Sequence, residues 1–142
     1  MKNIRLGLVV SDFNREITSN MEKNAENAAK QLNAVIIKNF HVPGVFEIPF
    51  AANKLLKNKK IGAVAVLGAV IRGETYHDVV IVNAVAPKLI ELSLKYNKPI
   101  GFGIIGPRVT WQQAEKRAAE YAKRAVEAAV GMMKVVCYPN II

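Results

Sequence analysis

Four short segments hold most of the residues in this chain that can do chemistry: Ser11-Asp12-Phe13-Asn14-Arg15, Pro43-Gly44-Val45-Phe46-Glu47, Arg72-Gly73-Glu74-Thr75-Tyr76-His77 and Gly106-Pro107-Arg108. Together they offer an aromatic ring, a carboxylate, a histidine and several arginines. Brought to one place, that set suits a planar polar ligand carrying an anionic group. A histidine side chain ordinarily titrates near neutral pH and is the usual proton-transfer group, so His77 is the candidate acid and base, against the plainer alternative of a surface or capping histidine. Phe13 sits in a polar stretch, where its ring either staples the following helix or offers a stacking plate to an aromatic ligand. Glu47 lies among apolar neighbours and needs hydrogen-bond donors, supplied either by helix-start amides or by the hydroxyls of a polyol.

Gly73-Glu74-Thr75 reads as a helix opening, with Thr75 as N-cap and Asp78 three residues on. Free N–H groups at such a start favour an anion, and a glycine lets a ligand come close. Arg117 and Arg124, seven apart, share a helix face; they are either solvated cations or, for Arg117, one half of a phosphate clamp. His41 reads as structural. There is no His-x-x-His, no cysteine cluster, no paired aspartate motif, no Gly-x-Gly-x-x-Gly and no Walker loop. The expectation is therefore no metal and no nucleotide cofactor.

Each of these segments follows an apolar stretch that can position it. Ile4 to Val10 reads as a strand, and Glu16 to Leu32 as a helix with Ile17, Met21, Ala25, Ala28 and Leu32 on one face. Val35 to Val42 is a second strand and Ile48 to Leu56 a second helix. Ala63 to Ile71, apolar almost throughout, reads as a strand covered on both faces. Tyr76 to Tyr96 is a long amphipathic helix with a bend expected at Pro87. Ile100 to Ile105 is the fourth strand, and Thr110 to Met133 the last helix, opened by a Thr110/Gln113 capping box. The order βαβαβαβα implies an α/β fold: a three-layer αβα domain with a four-stranded parallel sheet and helices on both faces. Ligands of such sheets bind beyond the carboxyl ends of the strands, where these segments fall.

The chain has 142 residues, enough for a single domain spanning 1–142, with 51% hydrophobic and 22% charged residues as in ordinary globular proteins. One cysteine, Cys137, excludes an intrachain disulfide and suits a reducing compartment. The longest apolar run, Ile61 to Ile71, is too short to span a membrane. Met1-Lys2 leads directly into the first strand pattern, so no signal peptide is expected and the protein reads as cytoplasmic. The net charge of +9 fits either a solvated basic surface or an anionic partner, phosphate or nucleic acid, and composition leaves both open.

In order and spacing these segments resemble lumazine synthase over nearly the whole chain. The carrying motifs are Ser-Asp-Phe-Asn-Arg-Glu-Ile-Thr from Ser11, Val-Pro-Gly-Val-Phe-Glu-Ile-Pro from Val42, and Leu-Gly-Ala-Val-Ile-Arg-Gly-Glu-Thr-Tyr-His-Asp from Leu67. Lys-Pro-Ile-Gly-Phe-Gly from Lys98 and Gln-Gln-Ala-Glu-Lys-Arg-Ala from Gln112 complete them. The form Gly-Glu-Thr-x-His-Asp is similar to the archaeal branch of that family. A related archaeal riboflavin synthase, which lacks the Arg-Gly-x-Thr-x-His segment, is the alternative, together with a non-catalytic basic α/β module that binds flavin, nucleotide or nucleic acid.

The resemblance implies a flavodoxin-like fold and condensation of 5-amino-6-(D-ribitylamino)uracil with 3,4-dihydroxy-2-butanone 4-phosphate to 6,7-dimethyl-8-ribityllumazine, phosphate and water, without cofactor. It implies His77 as proton donor and acceptor. Phe13 would stack on the pyrimidine, Val45, Phe46 and Glu47 would hold the ribityl chain, and Ala69, Val70 and Ile71 would line the pyrimidine edge. Glu74, Thr75 and Arg117 would bind the phosphate, with Asn14 and Arg124 as weaker candidates. Phe102 would reach over from a neighbouring subunit, since the family builds its site between the subunits of a pentamer, which stands alone or in a 60-subunit shell. Small-molecule substrates and further copies of the chain are the implied partners; nucleic acid and membrane are not. Gly106-Pro107-Arg108-Val109-Thr110 departs from the bacterial Thr-Thr pattern and is one residue longer, and Glu74 stands where many members have alanine.

Overall fold

The computed structural model describes residues 3–137; the reading of Met1-Lys2 concerns residues outside that range. Four strands, β1 (Ile4–Ser11), β2 (Ala34–Val42), β3 (Ala63–Ile71) and β4 (Ile100–Val109), alternate with four helices, α1 (Arg15–Gln31), α2 (Ile48–Lys57), α3 (His77–Tyr96) and α4 (Trp111–Cys137). A 3-10 turn, Val45–Glu47, precedes α2. The strands form one parallel sheet in the order β2-β1-β3-β4. This is the expected α/β three-layer arrangement of the flavodoxin-like type.

Alternation along the strands divides the core in two. Leu6, Leu8 and Val10 of β1 and Ala63, Ala65 and Leu67 of β3 point to the layer of α1 and α4. Val9, Val64 and Val66 point to the layer of α2 and α3. Because both faces are covered, β3 is buried from Ala63 through Ala69. α1 buries Ile17, Met21, Ala25 and Ala28 as its periodicity requires. α4 meets the sheet through a row of alanines, Ala114, Ala118, Ala122, Ala125 and Ala129, all buried.

That row seats closely because β4 offers glycines beneath it. A Cβ at Gly101 would stand 1.8 Å from the Ala125 carbonyl oxygen, and one at Gly103 would stand 3.0 Å from the Ala125 Cβ. The expected capping box forms at the start of α4. Thr110 N–H donates to Gln113 Oε1 at 2.9 Å, and Gln113 N–H donates to Thr110 Oγ1 at 3.1 Å.

Two boundaries correct the sequence reading. β4 does not stop at Ile105 but runs on to Val109, re-pairing with Ile71 after a register shift. Gly106-Pro107 reads locally as a breaker, yet the strand resumes because Arg72 N–H donates to Val109 O at 2.8 Å. Gly106 lies at φ 112° and presses so closely on Val70 that a Cβ would meet its carbonyl oxygen at 2.4 Å. The second correction concerns the start of α3. Its cap residue is Tyr76, without a side-chain cap, and Thr75 lies in the loop before it. α3 then continues through Pro87 without interruption to Tyr96.

Candidate active site

The strand order reverses between β1 and β3, the place where sheets of this kind leave a crevice. Here the loops after β1, β2 and β3 are laced together by hydrogen bonds. Asp12 N–H donates to Val42 O at 2.7 Å and Phe13 N–H to Pro43 O at 3.0 Å, which joins the first two strand ends. Asn14, left-handed at φ 64°, donates from Nδ2 to Ala69 O at 2.9 Å and so bridges to the third. Asparagine tolerates that backbone conformation better than most residues, and its amide then reaches β3.

The result is a crevice of about 400 Å³. From the three strand ends it collects Phe13, Phe46, Glu47, the stretch Ala69 to Ile71, Thr75 and His77. Several of its aromatic and polar groups are left available. Phe13 is 70% exposed, which excludes a stapling contact under α1. Val45 is buried and anchors the 3-10 turn, while Phe46 beside it is 65% exposed. Glu47 is half-buried yet its carboxylate does not cap α2. Neither that carboxylate nor the exposed His77 imidazole has a side-chain partner among the described residues. At Gly73, a Cβ would find nothing within 4 Å, so this side of the crevice is open for a ligand to approach the backbone.

The structure does not bring every expected residue here. Phe102, on β4, is 41% exposed and lines a separate hollow of about 270 Å³ with Ala86, Leu89 and Ile90. Arg117 projects from the exposed side of α4, away from its buried neighbours Ala114 and Ala118. Glu74 is exposed in the loop and does not line the crevice. Arg124 pairs on the surface with Glu120, Nε to Oε1 at 2.9 Å. His41 holds Glu22 at 2.8 Å, as a structural histidine would. Thr75 Oγ1 accepts only a long hydrogen bond, 3.4 Å, from His77 N–H, which leaves the hydroxyl able to meet a ligand.

Asp78 also lines the crevice, although the sequence presents it only as the acid three residues after Thr75. Asp78 has a side chain only 1% exposed. Its Oδ2 accepts the Arg108 backbone N–H at 2.7 Å, and its Oδ1 meets Arg108 Nη1 at 3.3 Å. The Arg108 N–H holds the Asp78 carboxyl below its usual range; desolvation works against this and the guanidinium charge adds to it. Helical spacing carries the signal that would have found it: Asp78, Val82, Val85 and Leu89 form one buried stripe of α3.

Geometrically, then, the site offers a stacking ring, a free carboxylate over a 3-10 turn, exposed backbone at a glycine loop and a free imidazole. This combination can orient a flat heterocycle with a hydroxylated tail and move a proton beside it. Comparison with known proteins follows the same line. The family described as 6,7-dimethyl-8-ribityllumazine synthase matches residues 3–137. A protein of that name from Metallosphaera sedula is 52% identical over 132 residues, covering 93% of this chain and 87% of its own length. Relatives with the same name from Methanopyrus kandleri and Methanocaldococcus jannaschii are 49% and 48% identical, covering 94% and 92% of each chain.

Proposed function

The chain belongs to the 6,7-dimethyl-8-ribityllumazine synthase family, and from that premise we propose how its own residues carry out the reaction. The enzyme condenses 5-amino-6-(D-ribitylamino)uracil with 3,4-dihydroxy-2-butanone 4-phosphate, a step of riboflavin biosynthesis. The observation that carries the assignment of roles is the meeting of Phe13, Glu47 and His77, from three different strand ends, in one crevice.

Phe13 stacks on the pyrimidine, and the backbone of Ala69, Val70 and Ile71 lies along its edge. Val45, Phe46 and Glu47 hold the ribityl chain, with Glu47 accepting hydrogen bonds from its hydroxyls. Thr75 and the open backbone around Gly73 and Glu74 receive the phosphate; the Glu74 side chain, which lies off the crevice, takes no part. The 5-amino group attacks the ketone carbonyl, and water is lost to give an imine. A proton leaves the neighbouring hydroxyl-bearing carbon and phosphate departs. Tautomerisation turns that hydroxyl carbon into a new carbonyl. The ribitylamino nitrogen closes on it with loss of a second water, giving the lumazine.

His77 moves the protons at these steps. One such group typically contributes about 10²–10⁴-fold, so holding both substrates in reactive geometry supplies much of the remaining acceleration.

Phe102 and Arg117 complete the crevice of an adjoining copy, which accounts for their distance from the crevice of their own chain. The active particle is accordingly a homo-oligomer, a pentamer alone or within a 60-subunit shell, acting in the cytoplasm. Among the described residues no helix is long and apolar enough to cross a membrane. Mixing the two substrates with the protein tests the reading directly. Appearance of the fluorescent lumazine, with release of phosphate, is the expected result; absence of product with both substrates bound overturns it.

A further inference from the structure

His77 is bracketed in sequence by Tyr76 and Asp78, and a single residue of β4 grips both. The Arg108 guanidinium lies 4.7 Å from the centre of the Tyr76 ring. Its backbone N–H and its guanidinium both bind the Asp78 carboxylate, at 2.7 and 3.3 Å. Arg108 pays a conformational penalty to do this, since it is left-handed at φ 59° and is not a glycine. Asp78 is likewise the one buried ionisable side chain among the described residues, and a buried charge persists only where it is held by donors. Two unfavourable features thus sustain one another at the point where α3 begins.

Beyond the helix's own bond from Val80 N–H to Tyr76 O at 3.1 Å, side-chain hydrogen bonding at that point is slight. The cap residue of α3 offers no side-chain hydrogen bond, and the Thr75 Oγ1 contact to His77 N–H is long at 3.4 Å. The His77 ring itself is exposed. On the other side, β4 is firmly placed where Arg72 N–H reaches Val109 O and where Gly106 abuts Val70. We infer that Asp78 and Arg108 form a clasp that positions His77, transferring the rigidity of the end of β4 to the first turn of α3. They are positioning residues, acting through His77 and not on substrate. The inference rests on the proposed role of His77 in the condensation.

A double-mutant cycle tests it. Asp78→Asn keeps an oxygen for the Arg108 N–H but removes the charge. In the oligomeric enzyme it should lower kcat by about tenfold, because small misplacements of a catalytic group are costly, with both KM values within about twofold of the parent. In a His77→Ala background the same change should have no further effect on kcat. Arg108→Lys, which preserves the backbone bond and replaces only the guanidinium that meets both Asp78 Oδ1 and the Tyr76 ring, should show the same dependence on His77. It carries the test if Asp78→Asn folds poorly.

Equal losses of kcat in both backgrounds, from either variant, overturn the clasp while leaving the functional reading intact. So does an unchanged kcat in Asp78→Asn and Arg108→Lys alike. An unmodified enzyme that forms no lumazine, or a His77→Ala enzyme as fast as the parent, instead overturns the functional reading and the clasp with it.

Discussion

The face where α4 meets the sheet and the crevice at the strand ends are made from opposite materials. Against β4, α4 presents alanines over glycines, with a backbone carbonyl where any added carbon would go. In the crevice, large aromatic groups stand 65–70% exposed, and a carboxylate and an imidazole have no side-chain partner among the described residues. The first surface is satisfied by the chain itself, so its residues answer only to packing. The second is unsatisfied until something else arrives, as a binding site must be. Phe13, Phe46, Glu47 and His77 mark the site because the fold makes so little use of their side chains.

Substitutions can break this contrast or sharpen it. The largest effect is expected at Gly101→Val. An added side chain collides with the Ala125 carbonyl, which no rotamer avoids, and the loss should exceed the roughly 1–3 kcal/mol typical of overpacking. Thermal denaturation and the yield of folded protein would measure it. Gly73→Ala is its counterpart, since a Cβ there meets no atom. It should leave the melting temperature in place, and a large fall would mean the crevice loop is packed after all.

His77→Ala should reverse the pattern, slowing turnover by about 10²-fold or more at unchanged stability. Stopped-flow fluorescence of lumazine formation would report it. Residual turnover should persist, because orientation of the substrates does not depend on the imidazole; complete loss with binding intact would contradict that division.

A smaller effect is expected from pH. The Asp78 carboxyl is held below its ordinary value of 3.8 when folded. A lowered carboxylate contributes stability that is fully present above the unfolded value and is lost as pH falls through the folded one. Urea midpoints of the parent and Asp78→Asn should therefore converge as pH is taken from about 6 towards 3. A gap that stays constant over that range would remove Asp78 from acid sensitivity. The smallest effect is at Thr110→Ala, where loss of one side of the capping box should cost about 1 kcal/mol with no change in turnover.

Much of this was legible in the residues alone, for physical reasons that differ by region. The element order followed from periodicity, as with Ile17, Met21, Ala25 and Ala28, because burial on one face is a local property of spacing. The crevice segments stood out because polar and aromatic groups interrupt the chain just after apolar strands. The extension of β4 was not legible. Gly106-Pro107 is a genuine local breaker, and what overrides it is pairing with Ile71, far away in sequence. Asp78 was missed as a functional residue for a related reason. Three residues after Thr75 it reads as a helix-start acid, while its place on the stripe with Val82 and Val85 points inward. Residue type and the acid three residues on point to Thr75 as the cap, but the backbone turns one residue later. Phe102 and Arg117 lie off the crevice of their own chain, so their proposed roles depend on a neighbouring copy.

The seat of α4 on β4 also limits which genetic changes can repair one another. A clash between two side chains can be relieved by trimming either of them, so a damaged core position commonly has a suppressor opposite. At Gly101 the obstacle is the main-chain oxygen of residue 125, which every amino acid carries. No substitution at that position can make room. A revertant of a bulky Gly101 variant must therefore restore glycine or shift the whole helix, and second-site suppressors should be absent from the residue it touches.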